Sequence, residues 1–140
     1  MVLLLLAIAP EALACTCDYS KTGTDARTAL RKARAVFVGK VKAVTPARQV
    51  EGDFTSPTDS FVQFTVERHW KGVKSHEIAV IADDPRGCAG PRFEVGKSYL
   101  VFAYGKRLWT GGCTRSQHLE YAEKDLQFLG QAKFPKPIKP

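Results

Sequence analysis

Hydrophobic positions repeat at two spacings along the chain, and each spacing predicts a type of secondary structure. Over residues 24–34, apolar positions at helical spacing alternate with arginines, which predicts an amphipathic helix capped by Thr24. Over residues 36–43 the period becomes two, which predicts a strand. Gly39 lies inside this strand and indicates a bend or bulge, a feature that lets a sheet curl.

Four further strands and a second helix follow. The strands are predicted at residues 62–70, 78–82, 99–104 and 108–113. Thr114 and Gln117 have the spacing of a capping box, and the helical stripe after them ends at Gly130. The pattern therefore predicts a mainly β domain, a small closed or partly open barrel with two helices.

The first fourteen residues have the pattern of a signal peptide. Residues 1–14 are apolar and end in Ala12-Leu13-Ala14, the small-x-small motif of signal peptidase sites. A buried N-terminal helix and a lipid-attachment signal at Cys15 are the alternatives. We expect one barrel domain over residues 15–132 and a flexible proline- and lysine-containing tail over 133–140. Because no second hydrophobic span follows, we expect a secreted product, extracellular or periplasmic, without a transmembrane segment.

Charge adds a candidate partner. The chain has 21 Lys and Arg against 14 Asp and Glu, a formal net charge of +7, and removal of the leader with Glu11 would raise it to +8. A basic barrel could bind a polyanion, although secretion argues against nucleic acid, and an ordinary solvated surface is the alternative.

The four cysteines, Cys15, Cys17, Cys88 and Cys113, predict two disulfides in an oxidising compartment. Cys15 and Cys17 point to the same side of an extended segment, and a direct bond between them would be strained, so two long-range bridges are expected. A zinc site formed by all four cysteines is the alternative, but the chain has no Cys-x-x-Cys motif. The three histidines lack ligand spacing, so we predict no metal of the protein's own and no cofactor.

Several of these segments together resemble a known family. They are Cys15-Thr16-Cys17, the run ARAVFVGKV over residues 33–41, Cys88, the run FEVGKSYLV over residues 93–101, and Cys113. In these features the chain resembles the tissue inhibitors of metalloproteinases and the wider netrin-like module. The resemblance extends over nearly the whole mature chain.

The resemblance implies a fold and a disulfide pairing. The implied fold is a closed five-stranded OB-like barrel flanked by two α-helices, with bridges Cys15–Cys88 and Cys17–Cys113. The inhibitors have a third bridge from the first helix, but no cysteine occurs here near Leu30 or after Cys113. Their separate C-terminal domain is also missing from this sequence, so the resemblance is to the N-terminal domain only.

The resemblance also implies a function, inhibition of a zinc metalloprotease. After leader removal, the amine and carbonyl of Cys15 would chelate the target's zinc, while Thr16 would enter its specificity pocket and Cys17 would fix the segment. Residues 87–89 (Gly87, Cys88 and Ala89) would form the second edge of the contact. The alternative is a non-inhibitory extracellular module that binds a protein or a polyanion. Because the sequence lacks Gly-x-Ser-x-Gly, His-Glu-x-x-His and a phosphate loop, we predict that the protein is not an enzyme.

Overall fold

The computed structural model describes residues 16–47, 58–83 and 90–136, and these ranges form a mainly β fold. In these ranges, two α-helices and a 3-10 helix at residues 119–121 accompany the strands. In chain order the elements are α1 (Ala26–Lys32), β1 (Ala35–Pro46), β2 (Ser60–Lys71), β3 (Glu77–Ala82), β4 (Ser98–Ala103), β5 (Trp109–Thr110), β6 (Gln117–His118), the 3-10 helix (Leu119–Tyr121) and α2 (Glu123–Leu129). The predicted class, mainly β with two helices, is confirmed.

The strands form one curled sheet, a half-barrel, in the order β5-β3-β2-β1-β4-β6. β5 runs parallel to β3, and the other pairs are antiparallel. The expected closed five-stranded barrel is therefore wrong. β6 pairs with β4 at Tyr99 and Leu100. Between the end of β4 and the two-residue β5 there is only an isolated bridge, which joins Tyr104 to Trp109.

The ladder between β1 and β2 is interrupted where the sequence predicted a bulge. Its register shifts between Val38 and Gly39, next to the glycine, and twice more along β1. Extra residues of this kind increase the local twist of a sheet. The predicted bend or bulge at Gly39 is confirmed as a register shift, one of three along a strand of a curled sheet.

Two hydrophobic clusters lie on opposite faces of β1 and β4. The inner cluster is built around edge-to-face aromatic rings, with centroid distances of 5.4 Å from Phe37 to Phe64 and 4.8 Å from Phe93 to Tyr99. The outer cluster is covered by the two helices and contains Ala29, Ala33, Val36, Val38, Leu100, Phe102, Tyr104 and Ala122. Because both faces are buried, β1 begins with a continuous buried run instead of an alternating one.

The helix starts differ from the predictions, whereas the predicted C-cap is confirmed. Asp25, not Thr24, caps α1, because its carboxylate accepts a hydrogen bond from Thr28 N at 2.9 Å. The predicted capping box is also wrong. Gln117 lies in β6, and α2 begins only at Glu123. Gly130 ends α2 with a φ of 66°, a conformation that favours glycine.

The chain beyond α2 returns to the sheet at one residue. Lys133 pairs with His69 through two backbone hydrogen bonds of 2.8 Å, so the first residue of the predicted tail lies against β2. Phe134 is largely exposed. Within residues 16–47, 58–83 and 90–136, no helix is long and apolar enough to cross a membrane.

Candidate functional site

The N-terminal part of the described chain, residues 16–25, is covalently attached to the turn between β5 and β6. We call it the anchored segment. A disulfide joins Cys17 to Cys113, with the Cα atoms 5.3 Å apart. This is one of the two bridges implied by the resemblance. The other, Cys15–Cys88, lies outside the described residues.

Hydrogen bonds fix the anchored segment at further points. The Thr22 hydroxyl donates to the carbonyl of Cys113 at 2.9 Å, and the Tyr104 hydroxyl donates to the carbonyl of Thr22 at 3.1 Å. Arg115 Nη1 donates to the carbonyl of Thr24 at 2.8 Å. Thr22 is only 1% exposed, so its bonds are shielded from competing water. The segment is therefore held as a fixed part of the fold and not only by its disulfide.

Two of these donors have environments that keep them protonated. Burial raises the pKa of Tyr104 to about 12, although the nearby charge of Arg115 acts in the opposite direction. Arg115 forms a bidentate ion pair with Asp125, at 2.5 Å from Nη2 and 2.9 Å from Nε, and this hydrogen-bonded partner raises the pKa of Arg115. Asp125 lies on α2 and is 4% exposed. Because Arg115 also binds the carbonyl of Thr24, it links the anchored segment to that helix.

Three hydroxyl groups hold the turn at residues 111–113, which carries Cys113. Thr114 Oγ1 donates to the carbonyl of Gly111 at 2.8 Å, and the hydroxyls of Thr110 and Ser116 are 2.7 Å apart. Ser116 Oγ also accepts from Phe102 N at 2.8 Å, which connects the turn to β4. Sequence reasoning gave Thr114 the role of a helix cap, but it stabilises this turn instead.

The chain on both sides of residues 84–89 meets the same turn. Asp83 donates its backbone N–H to the carbonyl of Thr110 at 3.0 Å, and its side chain lies directly against Gly111. Gly90 packs on Gly112 so closely that a Cβ on Gly90 would lie 2.5 Å from Gly112 Cα. Asp83 and Gly90 lie on either side of the predicted contact residues 87–89. Both are therefore next to the turn that carries Cys113, the residue to which Cys17 is bonded.

Of the site residues predicted from the sequence, two can be located. Thr16 is exposed and Cys17 is partly buried. Cys15 and residues 87–89 lie outside the described residues. The described part of the chain contains no group of three or more side chains suited to hold a metal ion.

A cleft that sequence reasoning missed borders the turn through Gly90 and Ser116. It has a volume of about 400 Å³. We call it the aromatic cleft because Tyr99, His118 and Tyr121 line it, with ring centroids 5.1 Å apart for Tyr99 and His118 and 6.1 Å apart for His118 and Tyr121. Tyr121 is 74% exposed. In the sequence, His118 and Tyr121 are three residues apart within the segment predicted as a helix, but the structure places them in β6 and in the 3-10 helix.

Comparison with known proteins does not assign the chain to a family. The chain matches no protein-family model, and no curated protein matches it. The resemblance described above therefore stays a prediction that rests on its motifs.

Proposed function

We propose that the mature protein is a secreted inhibitor of zinc endopeptidases that acts through its N-terminus. The observation that supports this proposal is that the anchored segment and the chain at Gly90 both meet the turn at residues 111–113. Cys17 is bonded to Cys113, and Gly90 packs against the adjacent Gly112. A fixed, exposed segment loses little conformational entropy on binding, which favours tight association with a protease cleft.

The proposed chemistry takes place at Cys15, two residues before the anchored cysteine. Once the leader is removed, Cys15 carries a free α-amino group, whose ordinary pKa of about 7.7–8.0 leaves much of it neutral near pH 8. Its amine and carbonyl would displace water from the open coordination position of the protease's zinc. The exposed Thr16 would enter the adjoining specificity pocket.

The aromatic cleft would extend the contact surface beyond the N-terminus. Tyr121 is a large exposed ring next to His118, and tyrosine is among the residues enriched in protein–protein interfaces. Since Gly90 and Ser116 belong both to this cleft and to the surroundings of the turn, one partner could contact both regions. A Tyr121→Ala variant should therefore lose affinity for the target without losing stability.

The test compares two forms of the protein that differ by one residue. One form begins at Cys15, and the other has a single alanine before it, which converts the amine into an amide. Both are assayed against a panel of zinc endopeptidases with a fluorogenic peptide substrate. We expect inhibition by the first form and a loss of at least about 100-fold in the second, about 2.7 kcal/mol of binding free energy. Equal melting temperatures would show that the fold is retained.

Two outcomes would refute the proposed chelation, and only an absence of inhibition would favour the alternative function, a binding module without inhibitory activity. Equal potency of the two forms, or no inhibition of any protease in the panel by the form beginning at Cys15, would refute zinc chelation. Intact-mass analysis of the native secreted protein provides a second check. It should show a chain that begins at an unmodified Cys15, because a lipid on that residue would block the proposed bridge and the chelation.

A further inference from the structure

Basic side chains from three parts of the chain line one open cleft of about 600 Å³. We call it the basic cleft. Its lining residues are Arg31, Lys32, Ala33 and Arg34 around the end of α1, Lys71, Gly72 and Lys74 at the end of β2, and Gly105 and Lys106 after β4. Six of these nine residues are basic and none is acidic. The cleft is therefore a region of strongly positive potential.

Local packing fixes the arrangement of the basic cleft. Lys71 Nζ donates to the carbonyls of Leu30 and Arg31, both at 2.9 Å, and so caps the C-terminus of α1 from the neighbouring strand. Gly72 has a φ of 69° and lies against the carbonyl of Arg34, with no room for a Cβ. These contacts hold the end of α1 against the end of β2 before any ligand binds.

Four of the six cations have no side-chain partner within residues 16–47, 58–83 and 90–136. Lys71 is engaged with the helix C-terminus, and Lys32 donates to the carbonyl of Ser20. The side chains of the other four, Arg31, Arg34, Lys74 and Lys106, are exposed and form no ion pair or hydrogen bond with the described part of the chain. Like charges gathered in one cleft repel one another, and a bound anion would relieve this repulsion.

We propose that the basic cleft binds a linear anionic polysaccharide through its closely spaced sulfate or carboxylate groups. None of the described residues that line the cleft is aromatic, so they offer no stacking surface of the kind that single-stranded nucleic acids require. In the part of the chain that the structure describes, the large exposed apolar side chains all lie outside the cleft, and this arrangement does not favour insertion of the cleft into a lipid surface. They are Tyr19, Val95, Tyr121, Phe128 and Phe134. This inference does not depend on the proposed inhibition.

The experiment measures binding of a heparin-derived octasaccharide to the mature protein by calorimetry over a range of salt concentrations. With three or four anionic groups bound, log Kd should change with log salt with a slope of about 3, because counterions are released. The variant K74E/K106E should bind at least about tenfold more weakly at 150 mM salt and with a slope lower by about 2. The matched control is K97E/K124E, which makes the same change in charge at exposed lysines outside the cleft. It should weaken binding by less than about threefold.

Three results would overturn the proposal. The first is no binding of the octasaccharide at 150 mM salt by the unmodified protein. The second is an equal loss in K74E/K106E and K97E/K124E, which would show a diffuse charge effect and not a site. The third is tighter binding of a DNA duplex or of phosphatidylglycerol vesicles with the same dependence on Lys74 and Lys106, which would assign the cleft to another polyanion. Melting temperatures of both variants exclude unfolding as the cause.

Discussion

Removal of the Cys17–Cys113 disulfide should cost the fold several kcal/mol. The bridge joins residues separated by 96 positions. If it acts alone, the chain-entropy relation gives about 4.7 kcal/mol for a loop of this length. If the predicted Cys15–Cys88 bridge also forms, the path between the two cysteines shortens to about 27 residues and the contribution falls to about 3.5 kcal/mol. The C17A/C113A variant should therefore be less stable by about 3.5–4.7 kcal/mol, a large fraction of a typical domain's stability.

Guanidinium unfolding followed by the fluorescence of Trp70 and Trp109 measures this loss. Linear extrapolation gives the free energy of unfolding of each form, and the variant should also show a slightly larger m-value because its unfolded chain is less constrained. Thr16→Ala, at an exposed position of the same segment, is the matched control and should change stability by less than about 0.5 kcal/mol. A loss below about 1 kcal/mol in C17A/C113A would refute the reasoning.

Three further changes test the contacts around the site and the sheet. Asp125→Ala leaves Arg115 half-buried without its partner and should cost about 2–3 kcal/mol in chemical unfolding, with an unchanged value as the contrary result. Tyr104→Phe should cost about 1 kcal/mol. It should also remove an alkaline loss of stability, because a folded pKa of about 12 gives stability that is present below pH 10 and lost as pH rises towards 12. Burial, and then the charge of Lys133, lower the pKa of His69, so stability should fall as pH drops below 6.5, and His69→Phe should flatten that dependence in melting-temperature scans.

Much of the fold could be predicted from local patterns. The strands corresponding to β1, β2, β3 and β4 were predicted because each has enough residues to show a period or an apolar run. β5 was predicted too long. The predicted strand covered residues 108–113, but β5 contains only Trp109 and Thr110 before the chain turns at Gly111. β6 was missed because two residues are too few to show any period, and its pairing with Tyr99 and Leu100 depends on the rest of the sheet.

The candidate site could be predicted only where covalent chemistry marks it. Cysteine is rare enough in this chain for its positions alone to indicate bridges, and the Cys17–Cys113 bond is present. The hydrogen bonds that complete the anchoring could not be foreseen. The bonds from Thr22 to Cys113 and from Arg115 to Thr24 each join residues 91 positions apart, and threonine and arginine occur throughout the sequence. Such contacts become visible only once the fold has brought the two ends together.

Both proposed sites depend on α1. The helix has seven residues, too few to be stable in isolation. Asp25 caps the first turn of the helix, Lys71 caps its last turn, and Ala29 is buried on the side that faces the sheet. The anchored segment leads directly into this helix, and the basic cleft is built around its end. Damage to either cap should therefore affect both sites together, whereas substitutions at Tyr121 or Lys106 should affect one site each.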